Sequence, residues 1–329
     1  MSISYLCPAT DTPVGGVKVM YRHSEMLSRH GIASDVCHPH DPAFACSWFS
    51  HAATLRRDHS FDVQSDFLVI PEIWAAPFAA RCLAVGLRYA VFVQNGYRIY
   101  QGADERGEAG LEQAYAGASL VLSISHDTTR LLQRKYPGLP GERLLRLLPG
   151  VGEAFGVAPR KRRQIAYMPR KLPEHAANVC FLLRGVLGEG WSLRAIDGLA
   201  EPQVAAVLAE SAIFLSFSEL EGLSLPPMEA ALSGNLVVGY TGQGSGEYFE
   251  QPLFREVVRG DIPGFVDAVR QAMHDVDSGL LGSQAVGAQV RSLAARYSSR
   301  SAQDLVLAFG RRVAGLLGGG PPQAPQTMF

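Results

Sequence analysis

The chain has 329 residues, 47% of them apolar, and a formal charge of -1. That length is about two domains' worth of chain and is enough for two packed cores. Near-neutral charge excludes a whole-molecule field that would gather nucleic acid or an anionic lipid surface, so no nucleic-acid partner is expected.

From the amino terminus, "MSISYLCPATDTPVGG" has no basic leader, and no run anywhere approaches the roughly eighteen apolar residues of a membrane span. A soluble, cytoplasmic protein is expected. Cysteines at 7, 37, 46, 82 and 180 are scattered and form no C-x-x-C pair, which predicts buried reduced thiols and no zinc. Short β-rich runs then recur, each closed by a polar or turn cluster and followed by helix-period sequence: "ISYLC", "ASDVCH", "DFLVIPE", "YAVFVQN", "LVLSISH" and "RLLRLLPG". Such alternation is what a parallel sheet covered by helices produces. After a basic, Gly/Pro-containing joint the pattern restarts with "IAYMP", "SLRAID", "AIFLSF" and "NLVVGY".

The fold class expected is therefore α/β, two Rossmann-like domains whose parallel sheets face a central cleft. The predicted boundaries are residues 1–150 and 165–300 for the domains, with 151–164 as linker, 301–317 as a carboxyl-terminal helix and 318–329 as an unstructured, low-complexity tail. "DIPGFVDAVRQAMHDV" also reads as an amphipathic helix. Its Asp275 and Asp277 have the spacing that some metal-dependent transferases use, but they sit at the helix end and are read as solvated. No metal site is expected.

Two acids stand out. In "SELEGLSLPPMEAALSG", Glu221 lies in a Gly/Ser loop after a strand, and Glu229 follows with seven residues between them, after Pro226 and Pro227. The prolines suit a first helical turn, which puts Glu229 in the opening turn of a short helix, where the macrodipole favours a carboxylate by about 0.3 to 1 kcal/mol. That account leaves Glu221 unexplained. The backbone N–H groups of Gly222, Leu223, Ser224 and Leu225, with the helix start, offer an anion site. An acid beside an anion needs a neutral partner, and sugar hydroxyls are one.

The stretch "FSELEGLSLPPMEAALSGNLVVGYTGQGSGEYF" resembles the signature of retaining GT-B glycosyltransferases, in particular family 4 of the sugar-nucleotide-dependent enzymes. The resemblance extends to "TPVGGVKVMYRHSEMLSRHG" as the amino-terminal Gly-Gly loop and helix, to "LPGVGEAF" as the interdomain segment and to "IAYMPRK" as a strand ending in a phosphate-binding arginine. It implies that Glu229 takes the ribose hydroxyls of the donor and that Glu221 takes hydroxyls of the transferred sugar. Arg170 and Lys171 would meet the diphosphate, with His175 as the alternative to Lys171. Gly198 and Leu199 would meet the nucleobase, and Gly15 and Gly16 would approach phosphate or acceptor.

Where relatives carry a histidine that touches the donor sugar, this chain has Gln94 and Asn95, whose amides can still hold hydroxyls. His126 is an acceptor-side candidate, while Ser125 or Asp127 beside it suits a helix cap. His23, Glu72 and Trp74 fit core packing at least as well as the cleft, and Glu247 is read as structural.

The resemblance implies a glycosyltransferase that moves a sugar from a UDP- or GDP-sugar to a glycan, lipid-linked or small-molecule acceptor, with retained anomeric configuration and no cofactor. A lipid-linked acceptor leaves room for peripheral membrane contact, and the oligomeric state is not written in the sequence. The rival readings are a catalytically silent sugar-nucleotide-binding subunit and a nucleotide-sugar epimerase.

Overall fold

The structure, a computed structural model, describes residues 1–158, 160–318 and the backbone of 326–327. The chain divides into two compact units: Met1–Gly150 with the chain from Arg300 onward, and Val151–Ser299.

The first unit contains strands β1 (Ser2–Leu6), β2 (Ser34–Cys37), β3 (Leu55–Arg56), β4 (Ser60–Phe61), β5 (Asp66–Pro71), β6 (Arg88–Val93), β7 (Leu120–Ser123) and β8 (Leu144–Arg146). Its helices are α1 (Gly15–Arg29), α2 (Ala75–Val85), α3 (Glu108–Gly117) and α4 (His126–Lys135). Seven of the strands form a sheet in the order β3-β2-β1-β5-β6-β7-β8, and each neighbouring pair is parallel. β5, "DFLVIP", is buried along its whole length, as a strand covered by helices on both faces must be. α1 buries Val17, Met20, Tyr21, Ser24 and Leu27, a stripe at helical spacing that packs on the sheet. β4 pairs antiparallel with Gln326–Thr327; the remainder of the expected tail beyond Gly318 lies outside the described residues.

The second unit contains β9 (Arg162–Tyr167), β10 (Ser192–Ala195), β11 (Ser211–Glu221), β12 (Leu236–Gln243) and β13 (Phe254–Glu256). Its helices are α5 (Pro173–Arg184), α6 (Glu201–Glu210), α7 (Leu225–Leu232), α8 (Ile262–Asp277) and α9 (Gln284–Tyr297). The sheet order is β10-β9-β11-β12-β13, again parallel throughout. β9 opens at Arg162, inside the stretch read as a linker, because Arg162 pairs with Ser211. A final helix, α10 (Ser299–Leu317), returns to the first unit. There Phe309 meets Phe67 at 6.2 Å, and Gly310 lies so close to α1 that a methyl group would sit 2.9 Å from Leu27 Cδ2.

Both sheets reverse direction once. In the first, β1 leads outward to β2 while its neighbour β5 leads the other way to β6; in the second, β9 leads to β10 while its neighbour β11 leads to β12. Loops that leave such neighbours at their carboxyl ends part from one another and open a crevice, the usual place for a ligand on an open parallel sheet. Among the described residues no helix is long and apolar enough to cross a membrane.

Candidate functional site

The crevice of the second unit is made by the turns after β9 and β11. β9 is followed by Met168, Pro169, Arg170 and Lys171 before Leu172, at φ 46, starts α5. β11 runs on to Glu221, but its pairing with β12 slips between Ser218 and Glu221. Leu220 takes up the slip in the left-handed region at φ 42 and leaves its side chain about half exposed. A non-glycine residue there is strained, and such strain gathers at functional loops. The outcome is an ion pair across the crevice, with Lys171 Nζ donating to Glu221 Oε1. Arg170 lies beside it, its Nε 3.9 Å from Asp197 after β10. The turns after β9 and β10 thus meet through Arg170 and Asp197, and Asp197 precedes Gly198, which stands at φ 63, and Leu199.

His175, the alternative to Lys171, is directed elsewhere: its Nδ1 lies 3.1 Å from the Tyr240 hydroxyl on β12. Lys171 is the cation that the fold sets against Glu221.

Glu229 requires a correction. α7 begins at Leu225, so both prolines fall inside the first turn and no acid occupies it. Glu229 is in the second turn, 9% exposed, and its carbonyl receives the Ser233 N–H at 3.0 Å. Stabilisation by the helix start therefore does not explain this acid.

The expected amide cradle also needs revision. Ser224 N–H donates to Ser245 Oγ at 2.9 Å, so it belongs to the scaffold. Ser224 Oγ accepts from Ser218 Oγ at 2.8 Å, and Ser224 O accepts from the Tyr248 hydroxyl at 2.6 Å. These buried bonds pin the loop between the two acids from beneath. The chain that does the pinning is "TGQGSGEY". Gly242, at φ 67, leaves room for Glu221: a Cβ there would meet Glu221 Cβ at 3.2 Å, and one on Gly244 would meet Gly222 O at 1.8 Å. Only glycine allows backbones so close.

Two further braces have partners that were not read from the sequence, the first of them at Glu247, expected to be structural. Glu247 Oε1 accepts from the Tyr297 hydroxyl at 2.6 Å and from Arg296 Nη2 at 3.2 Å. Lys161 Nζ donates to Leu208 O at 3.0 Å and also to Ser233 O at the end of α7. The glycine density of "TGQGSG" was the available signal for the first; nothing local announces the second.

Asp277 is exposed at the end of α8, as expected, but neither acid is unpaired. Asp275 pairs with Arg255 on β13, and Asp277 pairs with Arg163 on β9 at 2.8 Å, so both tie α8 to the sheet.

In the first unit, Gly15, Gly16, Gln94 and Asn95, expected on the acceptor side, lie at the carboxyl edge of β1 and β6, with Glu72 after β5 beside them. α1 starts at Gly15 with no side-chain cap, and a Cβ on Gly16 would lie 3.1 Å from Gln94 Oε1. Asn95 Oδ1 caps the following turn by accepting from Tyr97 N–H at 3.0 Å. Glu72, 5% exposed, accepts from the N–H groups of Gln94 at 3.2 Å and Asn95 at 3.0 Å. Trp74 packs against Phe78 and His40, with ring centroids 5.5 and 5.1 Å away. His126 is exposed at the first position of α4, whose cap is Ser125, accepting from Thr128 N–H at 3.1 Å. His23 is a core residue, stacked on Phe92 at 5.5 Å, and burial pushes its imidazole down to about 3.

Comparisons with known proteins agree with this architecture. No family model matches the chain. A curated alpha-1,6-glucosyltransferase of Actinobacillus pleuropneumoniae serotype 7 is 30% identical over 138 residues, which are 40% of this chain and 42% of that protein. The matched region is thus less than half the length of that relative.

Among solved structures, sucrose-phosphate synthase from Thermosynechococcus elongatus superposes with a TM-score of 0.67 at 13% identity, over 97% of this chain and 100% of its own. The HepE protein of Anabaena, in complex with UDP-glucose, gives 0.65 at 11% over 95% and 100%. The lipopolysaccharide outer core galactosyltransferase WaaB gives 0.64 at 13% over 95% and 100%. The chain has the two-domain, Rossmann-like GT-B fold of glycosyltransferases.

Proposed function

We propose that the chain is a glycosyltransferase that moves a sugar from a nucleotide diphosphate sugar to a hydroxyl acceptor with retention of configuration. The observation that carries this reading is the Lys171–Glu221 pair at the direction reversal of the second sheet, flanked by Arg170 and followed by buried Glu229. Arg170 and Lys171 bind the diphosphate, the one as a fork and the other as a point charge. They stabilise the negative charge that grows there as the bond from the sugar's anomeric carbon to the phosphate oxygen breaks.

Glu229 takes the two ribose hydroxyls, since a carboxylate is an acceptor-only group suited to a vicinal diol. Glu221 takes hydroxyls of the transferred sugar. Its ion pair suits it to gripping rather than to nucleophilic attack. The acceptor oxygen then bonds to the anomeric carbon on the face the diphosphate leaves, and its proton passes to the departing phosphate. Gly15, Gly16, Gln94 and Asn95 serve the sugar and the acceptor, with His126 outside them; Gly198 and Leu199 serve the base. UDP is the favoured nucleotide over GDP because HepE was solved with UDP-glucose and a further structural neighbour, TarM, with UDP.

A melting panel with UDP, GDP, ADP, CDP and dTDP tests the reading. At about a hundred times its dissociation constant, the true nucleotide adds roughly 2.7 kcal/mol of stability. Incubation with the matching nucleotide sugars, following slow donor breakdown, then separates a transferase from a silent binding subunit. Indifference to all five nucleotides contradicts the assignment.

A further inference from the structure

Glu72 is a buried acid with an unusual task. It follows β5 at the point where the first sheet reverses direction, and the parallel ladder with β6 ends beside it at Pro71 and Phe92. Beyond that pair the carboxylate takes over from the ladder, accepting the main-chain N–H groups of both Gln94 and Asn95. Two donors converging in a dry place call for a group that only accepts, and an ionised carboxylate is one; a protonated acid or an amide would set a donor against a donor. The turn Gly96–Gly102 is closed against the same residue, since a Cβ on Gly102 would lie 2.0 Å from Glu72 O.

What the clamp holds is significant. The Gln94 amide stands over the uncapped start of α1 at Gly15 and Gly16, and its Oε1 is buried without a hydrogen bond from the described residues. On the next residue, Asn95 fixes Tyr97, whose hydroxyl donates to Asp127 at 2.7 Å.

We propose that Glu72 is a positioning residue: its ionised carboxylate holds the backbone of Gln94 and Asn95 in the conformation that presents the Gln94 amide to sugar hydroxyls at the head of α1. This rests on the role given above to Gln94. The charge on Glu72 is also adjustable. Burial pushes its carboxyl up to about 7, against the pull of the main-chain N–H groups and of Arg98 in the Gly96–Gly102 turn; Tyr115 on α3, which burial keeps neutral, also faces it. Protonation removes one acceptor and frees one of the two N–H groups, so the loop is held above neutral pH and loosened below it.

The test has two arms on the full chain. In the first, the backbone amide signals of Gln94 and Asn95 are followed by NMR from about pH 5.5 to 8.5 in the wild type and in Glu72→Gln. Both amides should move together with a midpoint near 7 in the wild type, and neither should do so in the variant. In the second arm, UDP-glucose breakdown should rise up to about tenfold between about pH 6 and 8 through kcat with KM little changed, as ionisation of one group near 7 requires, and Glu72→Gln should be flat. Amides that do not titrate in the wild type overturn the proposal even if the variant cannot be folded, and so does a Glu72→Gln profile that follows the wild type. Absence of turnover at every pH with normal amide titration overturns instead the use of UDP-glucose by this site while leaving the clamp in place.

Discussion

The proposed roles of Glu221 and Glu229 differ, and substitution should separate them. Glu229 is buried within α7, and in the proposed reading its carboxylate binds the donor's ribose hydroxyls. Glu229→Ala should weaken nucleotide binding by roughly 1.5 to 3 kcal/mol, the range for hydrogen bonds to a charged group, as calorimetric titration would read. Glu221→Gln should leave nucleotide affinity within about threefold and lower turnover, because the proposed reading sets Glu221 on the transferred sugar; equal loss of affinity in both variants would contradict the division. His23 makes an independent prediction about the fold. Its imidazole is neutral when buried, so below about 6.5 the unfolded chain takes up a proton that the folded chain refuses until about 3. Stability should fall over that window, and His23→Leu should flatten the fall in denaturant titrations at successive pH values.

At the scale of elements, the acid loop depends on a second loop packed beneath it. Gly244→Ala drives a methyl into Gly222 O, which should cost about 1 to 3 kcal/mol as overpacking does and weaken nucleotide binding together with stability. An unchanged melting temperature would mean that the two loops are not in contact. The sequence made much of this visible and left specific parts hidden. β1, β5, β6, β9, β11 and β12 were legible because each is a short apolar run closed by a turn, and the strand ends then placed Arg170, Lys171 and Glu221 on one edge.

Partner choice was not legible, since it depends on sheet order. That Lys171 meets Glu221 while His175 meets Tyr240, that Ser245 takes the Ser224 N–H, and that Glu72 holds Gln94 and Asn95 are all contacts between segments far apart in sequence. The start of α7, expected near Pro227, lies two residues earlier at Leu225 for a local reason: prolines mark a first turn without fixing which of its positions they occupy, and that small shift moved Glu229 from the first turn to the second. The ion pairs of Asp275 and Asp277 were not legible because their arginine partners lie on strands far away in the chain.

Over the whole molecule, a formal charge of -1 supplies no general attraction for an anionic substrate, so recognition has to come from local cations and built geometry. Hydrogen exchange read across the full chain should show this. On addition of UDP, protection should rise at residues 168–172, 197–200 and 218–229, with smaller changes at the braces 242–248. Uniform protection over both units, or none at those segments, would argue against a local site.

The most direct measurement is a crystal structure of the chain with UDP or a UDP-sugar bound. The account predicts diphosphate density against Arg170 and Lys171, ribose hydroxyls on Glu229 and the sugar on Glu221. A nucleotide settled elsewhere, or a diphosphate out of reach of Lys171 with the Lys171–Glu221 pair undisturbed, would contradict it.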